Sequence, residues 1–218
     1  MPLILYLEPE NSIMLIEETN GTFNLNDYTD KIYPRIFLLD ELRAEISQTL
    51  GEDADVAADF PLYHLWMKDV ALGFVVDRGE KYTFISRAHL NGAITEEELR
   101  ALAFKNFERD FEFRVVQTIF GGFGFDGDPD HCATALFVPA IWDRVVSYFG
   151  KDLVVAFPGY DLLFFTTADD EEGITNLKIE LYKIEGIEIE KRLKNYLFLY
   201  SKEEKKWSFL EEIGGEEE

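Results

Sequence analysis

The order of hydrophobic and polar positions predicts a chain in which short strands and amphipathic helices are mixed. Short apolar runs flanked by turn residues predict strands. The clearest of these runs are Leu3–Leu7, Ser12–Glu17, Val70–Asp77, Lys81–Arg87, Leu153–Phe157, Asp161–Thr167, Tyr196–Tyr200 and Trp207–Leu210. An Arg-Gly turn and a Pro-Gly turn each separate two neighbouring runs, so we expect β-hairpins at both places. The runs "FEFRVVQTIFGGFGF" and "ATALFV" are interpreted as two further strands.

Apolar residues also recur at helical spacing in four longer segments. These segments are Arg35–Leu50, Thr95–Phe107, Pro139–Phe149 and Asp169–Ile184. Thr95 followed three residues later by Glu98 is a capping box, which satisfies backbone amides that the first helical turn leaves unpaired. Gly51 and Gly150 are typical helix stops. Strands joined by hairpins and mixed irregularly with helices predict an α+β fold, with a largely antiparallel sheet and three to four packing helices.

The chain has 218 residues, which suits one large domain or a smaller domain with an appendage. The acidic segment "GEDADVAAD", residues 51–59, is the best candidate boundary. We therefore expect an N-terminal β/α appendage at residues 1–59, which packs onto the main domain or stands apart. A main α+β domain follows at residues 60–210, and residues 211–218 form an acidic tail. No internal repeat is visible, which excludes solenoids and propellers.

The most unusual global property is the charge, with 43 acidic residues against 21 basic ones and a formal net charge of −22. Because 47% of the residues are hydrophobic and 15% are aromatic, the chain can bury a core, so we expect a folded protein despite the charge. A large negative charge repels phosphate backbones and anionic membrane surfaces, so we expect neither nucleic acid nor membrane as a partner. It favours solubility or the steered capture of a basic protein.

Cysteine usage and the N-terminal residues bear on the cellular location. Cys132 is the only cysteine, so an intramolecular disulfide is impossible. The first twelve residues, "MPLILYLEPENS", carry no basic segment, and their apolar run is too short for a secretory signal. No window approaches the roughly 18 apolar residues that a membrane helix needs. We expect a cytoplasmic protein.

From about residue 60 to residue 184 the chain resembles the YtpQ-like bacterial proteins, a family described as a domain of unknown function. The resemblance lies in "DLVVAFPGYDLLFF" (Asp152–Phe165), in the preceding helix with Trp142, and in "TEEELRALAFKNF" (Thr95–Phe107). It implies an intracellular bacterial protein with an α+β architecture. The family has no established catalytic residues, so the resemblance assigns none to this chain. Residues 1–59 show no such likeness.

The stretch "GGFGFDGDPDHC", Gly121–Cys132, is the one that most invites a chemical function. It lacks the Gly-Lys-Ser/Thr ending of a phosphate-binding loop. It also contains a literal G-x-G-x-x-G, but Pro129 and a β-prone run follow it, where a dinucleotide site needs a helix. A nucleotide site is therefore not expected.

A divalent metal is the remaining alternative for this stretch. Asp126, Asp128 and Asp130 match ligand positions 1, 3 and 5 of an EF-hand loop. His131 stands where such a loop needs Gly, and Phe137 stands where it needs Glu. A weak Ca²⁺ site at the three aspartates stays open, but the simplest interpretation is a turn between two strands.

His131 and Cys132 do not predict a zinc site or a Cys–His catalytic pair. Adjacent residues of a strand point to opposite faces, so on a strand the two side chains would not meet. No other cysteine or histidine lies at metal-ligand spacing. A lone cysteine at the start of an apolar run is typical of core packing. Because no other catalytic motif occurs, we assign no catalytic residue and no cofactor.

Two clusters are candidates for partner binding. The aromatic segment "FPLYHLWM", Phe60–Met67, fits either the core of a Phe-rich protein, the simpler interpretation, or an interface, where aromatic residues are common. Four acids follow Thr166 and Thr167 at the start of a helix, where the helix dipole also favours them. The residues selected as partner-binding candidates are Tyr63, Trp66, Asp169, Asp170, Glu171 and Glu172.

The function that fits best is a non-enzymatic, acidic protein-binding module that engages a basic partner. A bacterial immunity protein that covers a basic toxin and a nucleic-acid mimic are examples of this class. The alternative is a divalent-metal-assisted hydrolase that uses Asp126, Asp128 and Asp130. The sequence leaves the oligomeric state open, and a structural homo-oligomer is a third hypothesis.

Overall fold

The chain forms two compact units, which comprise residues Met1–Asp110 and Phe111–Glu218. The structure, a computed structural model, describes residues 4–7, 13–16, 23–50, 60–79, 82–90, 92, 94–185 and 193–214. No helix within these ranges is long and apolar enough to cross a membrane. The division after Asp110 differs from the expected boundary at residue 59. The acidic segment 51–59 that suggested this boundary lies outside the described residues.

The first unit is built on a six-stranded antiparallel sheet. Its strands are β1 (Ile4–Leu7), β2 (Ile13–Ile16), β3 (Ile32–Leu38), β4 (Tyr63–Met67), β5 (Val70–Asp77) and β6 (Tyr82–Phe84). The strand order is β2-β1-β6-β5-β3, and β4 also pairs with β5 as a hairpin. Strands from both sides of residues 51–59 therefore belong to one sheet, so residues 1–59 do not form a unit of their own.

Helices cover this sheet because its long strands are apolar on both faces. The helices are α1 (Leu39–Leu50), α2 (Arg87–Leu90) and α3 (Glu96–Asp110), and a 3₁₀ segment spans Leu25–Lys31. Strand β3 is buried along its whole length, and α3 packs against it. Buried Asn106 of α3 fixes this contact, because its amide nitrogen donates to the carbonyl oxygens of Thr29 and Ile32 at 2.8 and 3.0 Å.

The predicted start of α3 is confirmed, whereas Gly51, the predicted stop of α1, lies outside the described residues. The Thr95 amide donates to the Glu98 carboxylate at 2.8 Å, and the Glu98 amide donates to the Thr95 hydroxyl at 3.2 Å. These two hydrogen bonds form the predicted capping box at the start of α3. By contrast, Arg35–Leu38, which the sequence placed in a helix, belongs to β3. Only residues from Leu39 onward form α1.

The second unit is built on another six-stranded antiparallel sheet. Its strands are β7 (Arg114–Gln117), β8 (Phe123–Asp126), β9 (Leu153–Gly159), β10 (Leu162–Thr167), β11 (Tyr196–Ser201) and β12 (Lys206–Glu212). The order is β12-β11-β9-β10-β8-β7, which leaves β7 and β12 as the edge strands. Strand β12 includes Glu211 and Glu212, the first two residues of the predicted acidic tail. Residues 215–218 lie outside the described residues.

Helices lie on both faces of the second sheet. The helices are α4 (Pro139–Phe149) and α5 (Glu171–Glu185), and a 3₁₀ segment spans Ala133–Phe137. Val154 and Ala156 of β9 pack against Leu177 and Leu181 of α5. Side chains alternate along a strand, so Val155 and Phe157 point to the opposite face. Pro139 at the start of α4 and Gly150 at its end, with a φ of 72°, are confirmed as helix signals.

Trp142 of α4 is the centre of the aromatic core on the face away from α5. Its side chain is completely buried and lies 6.1 Å from the ring of Phe165, centroid to centroid. The indole Nε1 donates a hydrogen bond of 3.0 Å to the carbonyl oxygen of Ala135. The predicted α+β class is confirmed, with the antiparallel strands divided between two sheets.

Candidate functional site

The stretch Gly121–Cys132 does not have the structure that the sequence predicted. Gly121 and Gly122 lie in the turn between β7 and β8, and the Thr118 amide donates to the carbonyl oxygen of Gly122 at 2.9 Å. The run "FEFRVVQTIFGGFGF" is therefore a hairpin of two strands. The residues after Asp126 do not return as a strand, because Ala133–Phe137 is a 3₁₀ helix.

Two of the three aspartates proposed as a metal site, Asp126 and Asp128, are held by different side chains. The Arg114 guanidinium donates to Asp126 Oδ2 at 2.7 Å, across the β7–β8 pair. Asp128 Oδ1 accepts from His131 Nδ1 at 2.8 Å and from the Asp130 amide at 3.0 Å. Within the described ranges, no group of three or more His, Cys, Asp or Glu side chains is placed to hold a metal ion. The three aspartates therefore do not form such a group in this structure.

His131 and Cys132 are both buried, and they do not lie on a strand as the sequence suggested. The His131 ring is only 1% exposed and stacks on Phe111 at 4.1 Å between centroids. The hydrogen bond from this imidazole holds the pKa of the Asp128 carboxyl below its usual range. His131 thus anchors the aspartate-rich turn to the core of the second unit, which is a structural role.

Cys132 is unsuited to nucleophilic chemistry. Burial raises the pKa of its thiol to about 12, and the nearby negative charge of Asp161 adds to this effect. A thiol is reactive as its thiolate, which is scarce at neutral pH when the pKa is so high. The prediction that this cysteine is part of the core is confirmed by its 1% exposure.

The aromatic candidates Tyr63 and Trp66 lie on β4 of the first unit and are half-buried. The Tyr63 ring contacts Phe37 at 6.5 Å and Phe60 at 5.7 Å, so part of its surface serves the core. Leu65 between them is 57% exposed. The structure thus brings Tyr63 and Trp66 onto one short strand and adds Leu65 as an exposed apolar neighbour that the sequence did not single out.

The four acidic candidates lie at the start of α5 in the second unit. Lys151 donates to Asp169 at 2.6 Å, and this ion pair lowers the pKa of the Asp169 carboxyl. Asp170 is the helix N-cap, and its side chain accepts from the Gly173 amide at 2.9 Å. Glu171 and Glu172 are exposed in the first helical turn. Asp169 and Asp170 therefore have partners within the second unit, while the two glutamates are exposed to solvent.

The second unit also has an open polar cleft of about 540 Å³. Its lining includes Lys151, Asp152, Asp169, Lys202 and Glu203. The Lys202 amide donates to Asp152 at 2.8 Å, and Lys151 is held by Asp169. The Lys202 ammonium donates to the carbonyl oxygen of Gly150 at 3.2 Å, so both lysines of the cleft have partners within the unit.

Edge strand β7 is a candidate binding surface that the sequence interpretation missed. All four of its residues are exposed, including Val115 at 44% and Val116 at 40%. Ile119, in the turn that follows, is fully exposed. The signal available in the sequence was the Gly-Gly dipeptide at residues 121–122, which marks a turn and divides the apolar run into two strands.

The surplus of negative charge is shared equally by the two units. Residues 1–110 contain 21 acidic and 10 basic side chains, and residues 111–218 contain 22 and 11, so each unit carries a net −11. The acidity is therefore spread over both halves of the sequence and is not confined to the C-terminal tail.

Comparison with known proteins identifies no relative of this chain. No family model matches the chain, and no curated protein and no solved structure matches it either. The resemblance to the YtpQ-like family stays a prediction.

Proposed function

We propose that this chain is a non-enzymatic protein-binding module that engages a partner with a basic surface. The observation that carries the proposal is the net charge of −11 on each unit. A field of one sign over a folded surface accelerates encounter with an oppositely charged protein. Immunity proteins that cover basic toxins and nucleic-acid mimics are two examples of modules with this character.

The state of the reactive side chains supports binding in preference to catalysis. The thiol of Cys132 is buried with a raised pKa, and the buried ring of His131 is hydrogen-bonded to Asp128. The alternative proposal, a metal-assisted hydrolase, needs Asp126, Asp128 and Asp130 to converge. Their separate hydrogen bonds give it no support.

Exposed apolar side chains supply the anchors that such a module needs. Interfaces derive most of their energy from a few well-buried apolar or aromatic residues, with charge acting mainly on encounter rate. Tyr63, Leu65 and Trp66 on β4 are candidates, and so are Val115 and Val116, which lie on opposite faces of β7, and Ile119 in the turn that follows. Glu171 and Glu172 are the acidic candidates that remain exposed.

The net negative charge also bears on which partners the proposal excludes. A surface with this sign disfavours nucleic acid and anionic lipid as partners. A cytoplasmic location in a bacterium follows from the lone, buried Cys132 and from the resemblance to the YtpQ-like family. Both remain part of the proposal.

The test is the salt dependence of association. The full chain, immobilised by a tag, captures partners at about 0.05 M salt, and their association rates are then measured up to about 0.5 M. We expect the association rate to fall at least about tenfold over this range, with a much smaller change in dissociation rate. Capture of only neutral or acidic proteins would refute the proposal.

Two double variants test which acidic side chains of the second unit face the partner. Glu171→Gln combined with Glu172→Gln removes two exposed charges at the start of α5. Glu203→Gln combined with Glu204→Gln removes two exposed charges from the β11–β12 turn of the same unit and is the matched control. If the α5 acids face the partner, the first variant lowers the association rate more than the second. Equal effects would remove these acids from the binding surface.

A further inference from the structure

The second sheet has two edges, and within the described residues β12 carries more protecting features than the short strand β7. Exposed strand edges present unpaired backbone groups to other chains, and proteins commonly block them with charges or bulges. Strand β12 carries Lys206, Glu211 and Glu212, and its pairing with β11 contains a register shift. Strand β7 has regular pairing, no acidic residue and one base, Arg114, at its end.

The register identifies which backbone groups of β7 face outward. Arg114 pairs with Asp126 and Val116 with Gly124, and the Thr118 amide bonds to the Gly122 carbonyl. In an antiparallel pair, every second residue directs both its N–H and its C=O to its neighbour strand. Val115 and Gln117 therefore direct these groups away from β8. Within the described part of the chain, no backbone group pairs with them.

Acidic side chains surround one end of this edge. Glu112 precedes β7 and is exposed, and Asp126 ends β8 directly beside Arg114. Asp128 and Asp130 follow in the next turn. The other end of the edge carries the fully exposed Ile119. An extended segment that paired with β7 would thus meet apolar side chains along the strand and carboxylates at its end.

We propose that an extended, basic segment of a partner protein adds to β7 as a further strand of the second sheet. Backbone hydrogen bonds to Val115 and Gln117 hold the segment, as in other cases of strand addition. Val115, Val116 and Ile119 contact its β-branched or other apolar residues. The exposed Glu112 favours lysine or arginine at the end near it, whereas Asp126 is already paired with Arg114. The inference rests on the proposed function for the charge of the partner.

The probe is a fluorescein-labelled peptide, Lys-Lys-Thr-Val-Thr-Val-Thr-Val-Lys-Lys, with blocked ends. Its binding to the full chain is followed by fluorescence anisotropy. One control peptide replaces every lysine with glutamate, and a second carries N-methyl groups on alternate residues, which removes backbone donors. We expect the lysine peptide to bind at least about tenfold more tightly than either control, because the edge needs both the charge and the backbone donors.

The decisive protein variant is Val115→Pro. Proline removes an N–H that points outward, so the pairing of β7 with β8 is retained, and proline is tolerated on edge strands for this reason. Val115→Thr, which keeps the N–H and the β-branched shape, is the matched control. We expect Val115→Pro to lose at least about tenfold in affinity and Val115→Thr to stay within about twofold of the original chain. Should Val115→Pro fail to fold, Gln117→Pro makes the same test.

The possible results separate this inference from the proposed function. If the lysine peptide binds in a salt-sensitive way and Val115→Pro does not change its affinity, the β7 site is overturned. The proposal of an acidic binding module would then still stand. If the lysine and glutamate peptides bind with equal affinity, the proposal that the partner is basic is overturned. Absence of binding by any peptide would overturn the inference. Sedimentation tests whether the chain forms dimers. If it does, and Val115→Pro abolishes the dimers, the occupant of the β7 edge is a second copy of the chain, contrary to the proposal.

Discussion

The buried ring of His131 donates a hydrogen bond of 2.8 Å from Nδ1 to the Oδ1 atom of Asp128. The two residues are three apart in the sequence, and Asp128 also accepts from the amide of Asp130. This arrangement folds the aspartate-rich turn onto the core of the second unit. It explains why a segment with three aspartates and a histidine has a structural role and does not form a metal site.

The stability of the fold should depend on the charge of Asp128. Its pKa is lowered in the folded chain, so its ionised form stabilises the fold above the usual carboxyl pKa of about 4. That contribution disappears as the pH falls through the lowered pKa. Asp128→Asn should therefore reduce the free energy of unfolding by about 1 kcal/mol near pH 7, and by less near pH 3.

Urea unfolding from about pH 3 to pH 7 measures this effect. Asp128 is 38% exposed, so water screens the interaction and a value well above 1 kcal/mol is not expected. Asp126→Asn is the control, because its ion pair with Arg114 is mostly exposed. The control should change the free energy of unfolding by less than about 0.5 kcal/mol. A difference for Asp128→Asn that grew on acidification would contradict the assigned role.

Cys132 should be nearly inert in the folded chain. With its pKa raised to about 12, the thiolate is rare at pH 8, and burial also blocks access. Ellman's reagent should react at least about a thousandfold more slowly with the native chain than with the chain unfolded in guanidinium. Comparable rates in the two states would show that the thiol is accessible and would reopen a chemical role for it.

The sequence predicted best the elements whose determinants lie close together in the chain. The capping box of Thr95 and Glu98 and the stop at Gly150 each involve residues within one or two helical turns. Such contacts depend on local backbone geometry, so a short pattern is enough to predict them. The hairpins β5–β6 and β9–β10 were predicted for the same reason.

The errors arose where distant residues decide the structure. Arg35–Leu38 continues directly into α1, so its apolar residues were assigned to the helix. Pairing with Val70–Gly73 of β5 makes it a strand. Ala133–Phe137 has β-prone residues, but the Ala133 amide donates to the carbonyl oxygen of Tyr160 at 2.9 Å. That contact lies outside any local pattern.

The candidate binding surfaces could likewise be predicted only where nearby residues determine them. Exposure of Glu171 and Glu172 could be predicted, since they follow an N-cap in a helix whose opposite side is apolar. The position of β7 at the edge of its sheet could not be predicted, because it depends on the order of six strands from distant parts of the chain. The division after Asp110 depends in the same way on which strands share a sheet.

Trp142 should contribute more to stability than any surface aromatic residue. Trp142→Phe removes the hydrogen bond to Ala135 and leaves a small cavity, so we expect a loss of about 1–3 kcal/mol in the free energy of unfolding. Trp207→Phe, at a half-buried position that contacts Trp142, should cost less. Urea unfolding of the two variants makes the comparison. Equal losses would show that the hydrogen bond and the cavity contribute little.

Divalent metals should leave the melting temperature of the chain unchanged. A ligand that binds only the native state raises the melting temperature, by an amount that grows with its concentration. Because Asp126 is paired with Arg114 and Asp128 with His131, binding an ion would require these contacts to break. Melting curves with Ca²⁺, Mg²⁺ or Zn²⁺ at about 1 mM, each against a chelator control, should coincide within about 1 °C. A rise of several degrees that Asp128→Asn abolished would restore the metal-assisted hydrolase as the better hypothesis.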